Sequence, residues 1–590
     1  MKRLIALFLV LMMALSLSPA VHAASTPAVS SNIDEHFYIN AARWTDPIRS
    51  TLAAEDGGYL RVEYIEDAIV VERYDANLNF LSGMELAQEL PVYGGVYICE
   101  DYNFLVTGQN NTEEDDSKEV FRITRYDKDW KRLDHASLFG ANTVYPFDAG
   151  CVRFDRSDDI LYIRTSHEMY TSDDGYNHQA NVMIAVRISD MTVTDSLTKV
   201  WNKGYGYVSH SFNQFVRVDG ETLLAVDHGD ALPRSVCLFK YPYSAGSETF
   251  YGRTTMVNAL NIVDSTYHYN DTGVSVGGFE CSSTDYLIAG CSYDQEESID
   301  LMYAYRNVFV TATPKDDFTD EATTVTWLTH YAQADQILVS PPHMVKLSAD
   351  RFLLTWTEDG DLKYCFVDNR GQLIGEIQDM DGDLSDCVPI VDGDRVLWYV
   401  TDDSAPVFYE IPIPKTPFCD VEAGSFYEDP VAWAVEAGIT NGLDATHFGP
   451  LESCNRAQVV TFLWRAAGSP EPKSTKNPFV DVKSDAFYYK AVLWAVEKGI
   501  TNGLDATHFG PTEHCNRAQV VTFLYRAMGS PAVSGVSNPF TDVKSGQFYH
   551  KAVLWAVKEG ITNGVSATEF GVNAVCNRAQ IVTFLYRAYH

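Results

Sequence analysis

Basic residues are scarce in this chain: 44 Lys and Arg stand against 80 Asp and Glu in 590 residues, a formal net charge of −36. So acidic a protein is repelled by phosphate backbones, which disfavours nucleic acid as a partner and suits a soluble exported protein. Cys-x-x-Cys, His-Glu-x-x-His, a P-loop and a dinucleotide fingerprint are all missing. The usual sequence grounds for zinc or nucleotide chemistry are therefore lacking, and neither a cofactor nor a metal is expected. After the first two dozen residues no apolar run is long enough to cross a bilayer, and no sorting motif closes the chain.

What is present begins with Lys2 and Arg3, an apolar run from Leu4 to Leu17, and small residues at Val21 and Ala23. That pattern over residues 1–23 is a secretory signal peptide, expected to be cleaved after Ala23. Its roughly 14 apolar residues fall short of the ~20 that span a membrane. The eleven cysteines are odd in number, so at least one thiol is unpaired.

With 46% hydrophobic residues, a chain of this length supports several real cores. Residues 30–410 alternate short β-rich runs with Gly and Asp turns. "AIVVERYDANLNFLSGMEL" from Ala68, "EVFRITRYDKDWKRLDHASL" from Glu119 and "LKYCFVDNRGQLIGEI" from Leu362 each read as strand, Asp-containing tight turn, strand. Hydrophobic runs with a polar turn precede them. Four antiparallel strands repeating every 45 to 60 residues describe a β-propeller of about seven blades, with residues 37–48 placed to close the ring. A sandwich or a pair of β-domains is the alternative arrangement.

The densest polar region of this part holds His167, His178, His210, His228, Asp230 and Arg234. If they converge, such residues suit ligand contact, a metal site or acid/base work, but no metal-binding spacing is present, so they are carried as a ligand-site expectation with no catalytic residue assigned. The acidic run Asp379, Asp381, Asp383 and Asp386 has its glycine misplaced for a calcium loop and reads as a solvated turn.

A proline-rich linker, 411–417, leads to a unit written three times with a period of 61 residues: "CNRAQVVTFLWRAAG", "CNRAQVVTFLYRAMG" and "CNRAQIVTFLYRA". From Thr416 onward 14 Lys and Arg meet 16 Asp and Glu, so nearly all the excess acid lies earlier. Asn455 suits an N-cap, Gln458 completes a capping box, and Val459, Phe462, Leu463 and Ala466 form one apolar stripe, so a helix starts here and ends before Gly468. Arg456, Arg517 and Arg578 sit in the first turn, where the helix dipole disfavours a cation. Each needs another partner. An earlier helix from about Tyr488 to Gly499, with Ala491, Trp494 and Ala495 at buried spacing, ends in "GITNG", a turn able to turn N–H groups outward beside the arginine, as an anion requires. Cys454, Cys515 and Cys576 recur before the N-cap without partner histidines and read as small buried hydrophobes rather than zinc ligands.

The aromatic helix, "GITNG", the Phe448–Pro450 and Phe509–Pro511 elements and the "NRAQ" arginine together resemble the S-layer homology domain, whose usual signature is Thr-Arg-Ala-Glu. The resemblance covers repeats at 418–470, 478–531 and 539–590. It implies an all-α pseudo-threefold spindle whose inter-repeat grooves hold cell-wall polysaccharide, often pyruvylated, at the surface of a Gram-positive-type bacterium. It further implies that Arg456, Arg517 and Arg578 face the grooves, with Asn441–Gly442, Asn502–Gly503 and Asn563–Gly564 offering backbone contacts and Trp433, Trp494 and Trp555 joining them. A guanidinium fork fits a carboxylate bidentately. Glu428 and Asp429 make the first groove more acidic, and Gly571–Val572 replaces Gly–Pro in the third copy. The expected function is a wall-anchored surface protein displaying a propeller that binds glycan or protein. A wall-tethered polysaccharide hydrolase or lyase is the alternative.

Overall fold

The computed structural model describes residues 24–33, 47–199, 206–241, 254–262, 272–293, 305–332, 335, 337–444 and 446–590. The signal-peptide segment and most of the expected ring-closing segment, 37–48, lie outside them. The chain divides into two compact units, Met1–Ile411 and Pro412–His590.

The first unit is a β-propeller. Four-stranded sheets whose spatial order equals their sequence order run from Ser50 to Leu86, Val92 to Phe139, Ser275 to Trp327 and His343 to Met380, and a three-stranded sheet runs from Ile390 to Pro412. Between them a nine-stranded sheet holds two four-stranded meanders, Arg153–Leu197 and Ser209–Asn261, joined by the register pair Ala180↔Ser209, and a short strand, Thr143–Pro146, that pairs with Ile160–Met169.

The reason for stacking is legible strand by strand. In Ile160–Met169, Leu161 and Ile163 pack with Phe104, Val106 and Ile123 of the preceding sheet, while Ile160 and Tyr162 pack with Val216, Ala225 and Phe239 of the following meander. Leu224 and Val226 likewise face one neighbour and Leu223 and Ala225 the other. Both faces of these strands are apolar, so each must be covered on both sides, which a radial stack provides.

The hairpins expected at Asp75, Asp127 and Asp368 form by one device. In each, the aspartate Oδ1 accepts backbone N–H groups two and four residues on: Asn77 and Asn79, Asp129 and Lys131, Arg370 and Gln372, at 2.8–3.0 Å. These are Asx turns. Among the described residues the ring is stitched by Asn32, whose Oδ1 accepts from Thr401 N (2.7 Å) and whose N–H donates to Thr401 O (3.1 Å).

The second unit has six helices among its described residues: α1 (Glu428–Glu436), α2 (Arg456–Ala466), α3 (Tyr489–Glu497), α4 (Arg517–Ala527), α5 (His550–Lys558) and α6 (Arg578–Tyr589). Asn455, Asn516 and Asn577 each close a capping box with the glutamine three residues on. The second helix of each repeat packs on the first helix of the next: α2 on α3, α4 on α5, α6 on α1.

The centre is not helical. Cys515 N donates to Cys454 O (3.1 Å), Cys576 N to Cys515 O (3.1 Å) and Cys454 N to Cys576 O (3.3 Å), a closed triangle of backbone hydrogen bonds around the pseudo-threefold axis. The three thiols are fully buried, and burial pushes each up to about 12.

The segment expected as a linker is tied in at both ends. Ile411 and Pro412 finish the last strand, and the Lys415 N–H donates to Glu428 Oε1 at 2.9 Å.

Candidate functional site

The repeated arginines hold the three repeats together in a cycle. Arg456 donates from Nε to Phe509 O (2.8 Å) and from Nη2 to Thr501 Oγ1 (3.3 Å). Arg517 does the same to Phe570 O and Thr562 Oγ1, and Arg578 to Phe448 O and Thr440 Oγ1. Every contact reaches the following repeat, the last returning to the first. Two phenylalanine rings flank each guanidinium, Phe509 and Phe523 at 5.0 and 5.2 Å for Arg456.

The free forks expected from the sequence are therefore not free: the arginines are 3 to 4% exposed. The dipole argument was sound in asking for another partner, and the partner is a carbonyl with a π-face beneath it. Among the described residues no carboxylate forms an ion pair with any of the three, and burial lowers each guanidinium from its usual value. Nη1 has no hydrogen-bond partner among the described residues in any copy, the bonds running from Nε and Nη2. A cation so placed, stripped of water yet lacking a counter-charge, is costly unless something supplies one.

The receiving strap is held by the aspartate of the second repeated marker, "F-x-D-V". Asp481 accepts from Phe509 N and Gly510 N at 2.8 Å each, and Asp420 and Asp542 repeat the geometry. A relay thus runs from carboxylate to strap N–H, and from strap carbonyl to the arginine of the preceding repeat. In the third copy Val572, standing where the others have proline, adds a third donor to Asp542 at 3.1 Å. Burial pushes Asp542 up, but the three N–H donors together hold it below the usual carboxylate range.

In the "GITNG" turns, Gly442, Gly503 and Gly564 take φ of +82 to +83°, whereas Asn441, Asn502 and Asn563 do not adopt positive φ. The glycine N–H groups point inward to Thr440, Thr501 and Thr562 Oγ1 at 3.2–3.3 Å, so they are not open contacts. The asparagines are exposed beside the arginines' threonine partners.

Two expectations are corrected. Trp494 and Trp555 are core residues, 4% exposed, and Trp433 packs half-buried against Tyr586, Tyr589 and His590, because the helix face that carries them meets the neighbouring repeat. Glu428 does not acidify a groove: it is buried, and its two oxygens accept from Lys415 N (2.9 Å) and Gly424 N (2.7 Å), a clasp on the entry to the first repeat.

In the propeller the histidines separate into different environments. His210 Nδ1 lies 3.0 Å from Asp230 Oδ1, and Arg234 donates to Asp230 O at 2.8 Å, so these three gather at one hairpin end, where His210 takes a φ of +55°. His228 is buried beneath, 3.3 Å from Asn213 Oδ1. His167 is buried against Thr143 Oγ1 (2.6 Å), and His178 pairs with Asp174 (2.8 Å) in an exposed loop. Burial pushes His167 down to about 3 and His228 to about 4, keeping both neutral. The four do not form one pocket. The acidic run also disperses: Asp379 pairs with Lys363, and Asp386 accepts from Arg49 N (2.7 Å).

The S-layer homology domain profile matches residues 417–460, 478–521 and 539–582, so three such domains stand in tandem here. The Surface-layer 125 kDa protein of Lysinibacillus sphaericus is 30% identical over 166 residues, covering 28% of this chain and 14% of that protein. An endoglucanase of Bacillus sp. (strain KSM-635) is 33% identical over 124 residues, 21% of this chain and 13% of that protein. The chain thus spans less than a fifth of the curated relatives it matches here. Among solved structures, the WD40 domain of Toxoplasma gondii coronin aligns at 7% identity with a TM-score of 0.36, covering 66% of this chain and 86% of that one. No helix among the described residues is long and apolar enough to cross a membrane.

Proposed function

We propose that the C-terminal unit anchors this protein non-covalently to an anionic polysaccharide of a bacterial cell wall, and that the propeller is its displayed cargo, binding glycan or protein. One observation carries the reading: three equivalent buried arginines, each without a carboxylate partner among the described residues and each with Nη1 left to a ligand. A carboxylate of the polymer, such as a pyruvate ketal, supplies the missing charge to a guanidinium whose other nitrogens are already fixed, so little ordering is needed on binding. Asn441, Asn502 and Asn563 stand beside the three sites as further polar contacts. The surface-layer relative supports a cell-surface location.

In this reading the two meanders of the nine-stranded sheet, which pack face to face, count as separate blades, which makes a seven-bladed ring with the five other sheets. The test is co-sedimentation of the full chain with purified walls. Replacing Arg456, Arg517 and Arg578 by methionine keeps the volume and removes the charge. Loss of sedimentation is expected at temperatures where the melting curve shows the variant still folded, and undiminished binding rejects the mechanism.

The similarity to an endoglucanase favours a second reading, a wall-tethered polysaccharide hydrolase or lyase with His210 and Asp230 at its site. Release of reducing ends or unsaturated products from wall glycans, abolished by His210→Ala, decides for it.

A further inference from the structure

Away from the repeats and from the His210 hairpin, a cavity of 1120 Å³ opens in the propeller between the sheet running from Val92 to Phe139 and the meander Arg153–Leu197. That lies just above the ~300–1,000 Å³ of ordinary small-molecule pockets. It suits an extended chain of several sugar rings better than a single metabolite.

The walls are tied across the seam. Glu114 Oε1 accepts from Thr171 N (2.8 Å) and Thr171 Oγ1 (2.7 Å), and Asn142 Nδ2 donates to Thr198 O (3.1 Å). Asn111, fully buried, donates from Nδ2 to Tyr170 Oη at 2.9 Å, and the same hydroxyl has the Asp116 carboxylate as a partner. Tyr170 is therefore fixed at the cavity wall through its hydroxyl. Phe139 lines the same cavity and is 58% exposed, an apolar ring in water with no core to serve.

Charge narrows the ligand. Asp116, Asp173 and Asp174 line the cavity against Lys199 alone. Asp174 is engaged by Ser172 and His178, and Asp173 has no protein partner among the described residues. Aromatic rings take the C–H faces of sugars, and carboxylates and amides take their hydroxyls by charge-assisted hydrogen bonds. The same carboxylates repel an acidic sugar.

We propose that this seam binds a neutral oligosaccharide, stacked on Phe139 and Tyr170 and hydrogen-bonded through Asp116, Asp173 and Asn142. This rests on the display reading of the propeller and names its site and ligand class. The protein then reads two kinds of glycan, an anionic one through its repeats and a neutral one through this seam.

The test uses the full chain with Arg456, Arg517 and Arg578 replaced by methionine, so that the anchor contributes nothing, titrated with cellohexaose, xylohexaose, chitohexaose and, as the acidic control, hexagalacturonate. At least one neutral hexamer is expected to bind with a Kd below about 1 mM, and F139A to weaken it about tenfold. Y170F, which keeps the ring, should change it little, and hexagalacturonate should not bind. Because Phe139 is exposed, F139A leaves the fold intact, which its melting curve verifies. A neutral hexamer bound equally by F139A overturns this site while leaving the display reading standing. No neutral hexamer bound, or hexagalacturonate bound as well as the neutral ones, overturns the proposal.

Discussion

Arg578 donates from Nε to the carbonyl of Phe448, 130 residues earlier in the chain, at 2.7 Å. That hydrogen bond is one of those that join the third repeat to the first and close the tandem array into a cycle, since Arg456 and Arg517 make the same bond to the next repeat along.

Stability and binding should separate at these arginines. Arg517→Glu puts a buried anion against the Phe570 carbonyl and is expected to destabilise the C-terminal unit by about 3–5 kcal/mol. Arg517→Met leaves the Phe570 carbonyl unpaired but no buried charge, since Thr562 Oγ1 keeps the Gly564 N–H, costing about 1–3 kcal/mol. Chemical denaturation of the two variants measures the difference, and wall co-sedimentation should fall in both.

Asp542 is held below the usual carboxylate range in the folded state. Its contribution is therefore complete above the unfolded value of ~3.9 and fades as pH falls through the lower folded value. Melting temperature followed downward from pH 5 should fall less steeply in Asp542→Asn than in the parent.

The propeller should lose stability at milder acidity. His167, His228 and His343 are buried and pushed down to about 3, 4 and 4. The unfolded chain binds these protons below pH ~6.5 and the folded one does not, so stability drops by about 1.4 kcal/mol per pH unit per group between pH 6 and pH 4. A shallower slope in His228→Leu, read by urea unfolding at pH 4.5 and 7.5, checks the assignment.

Thiol labelling should distinguish the cysteines. Cys454, Cys515 and Cys576 are buried, with thiols at about 12, whereas Cys419 is exposed. Iodoacetamide at pH 8 is expected to modify Cys419 and spare the three axial thiols, which mass mapping reports. Cys515→Ser buries a hydroxyl and should cost about 1–3 kcal/mol.

Glu428→Ala removes an acceptor from two backbone N–H groups and should destabilise the unit by about 1–3 kcal/mol without raising wall affinity. An increase in wall affinity would instead mean that Glu428 opposes the polymer in a groove.

From the sequence alone, the three repeats, the helix starts at Asn455, Asn516 and Asn577 and the Asx hairpins at Asp75, Asp127 and Asp368 could be read, because caps and turns are local: the bonded groups lie within four residues of each other. The propeller was legible as a texture, since a strand buried on both faces shows a continuous apolar run. What the tertiary structure alone decided is direction. A first-turn arginine has no local partner, so nothing near Arg456 in the chain announces Phe509 or Thr501, and Trp494 at buried spacing reads alike as core or as sugar platform. Carbonyl acceptors leave no mark on composition, and a cavity such as that between Phe139 and Tyr170 exists only where two sheets meet. Local hydrogen bonds are written in order along the chain, whereas the burial of a charge depends on which distant surface covers it.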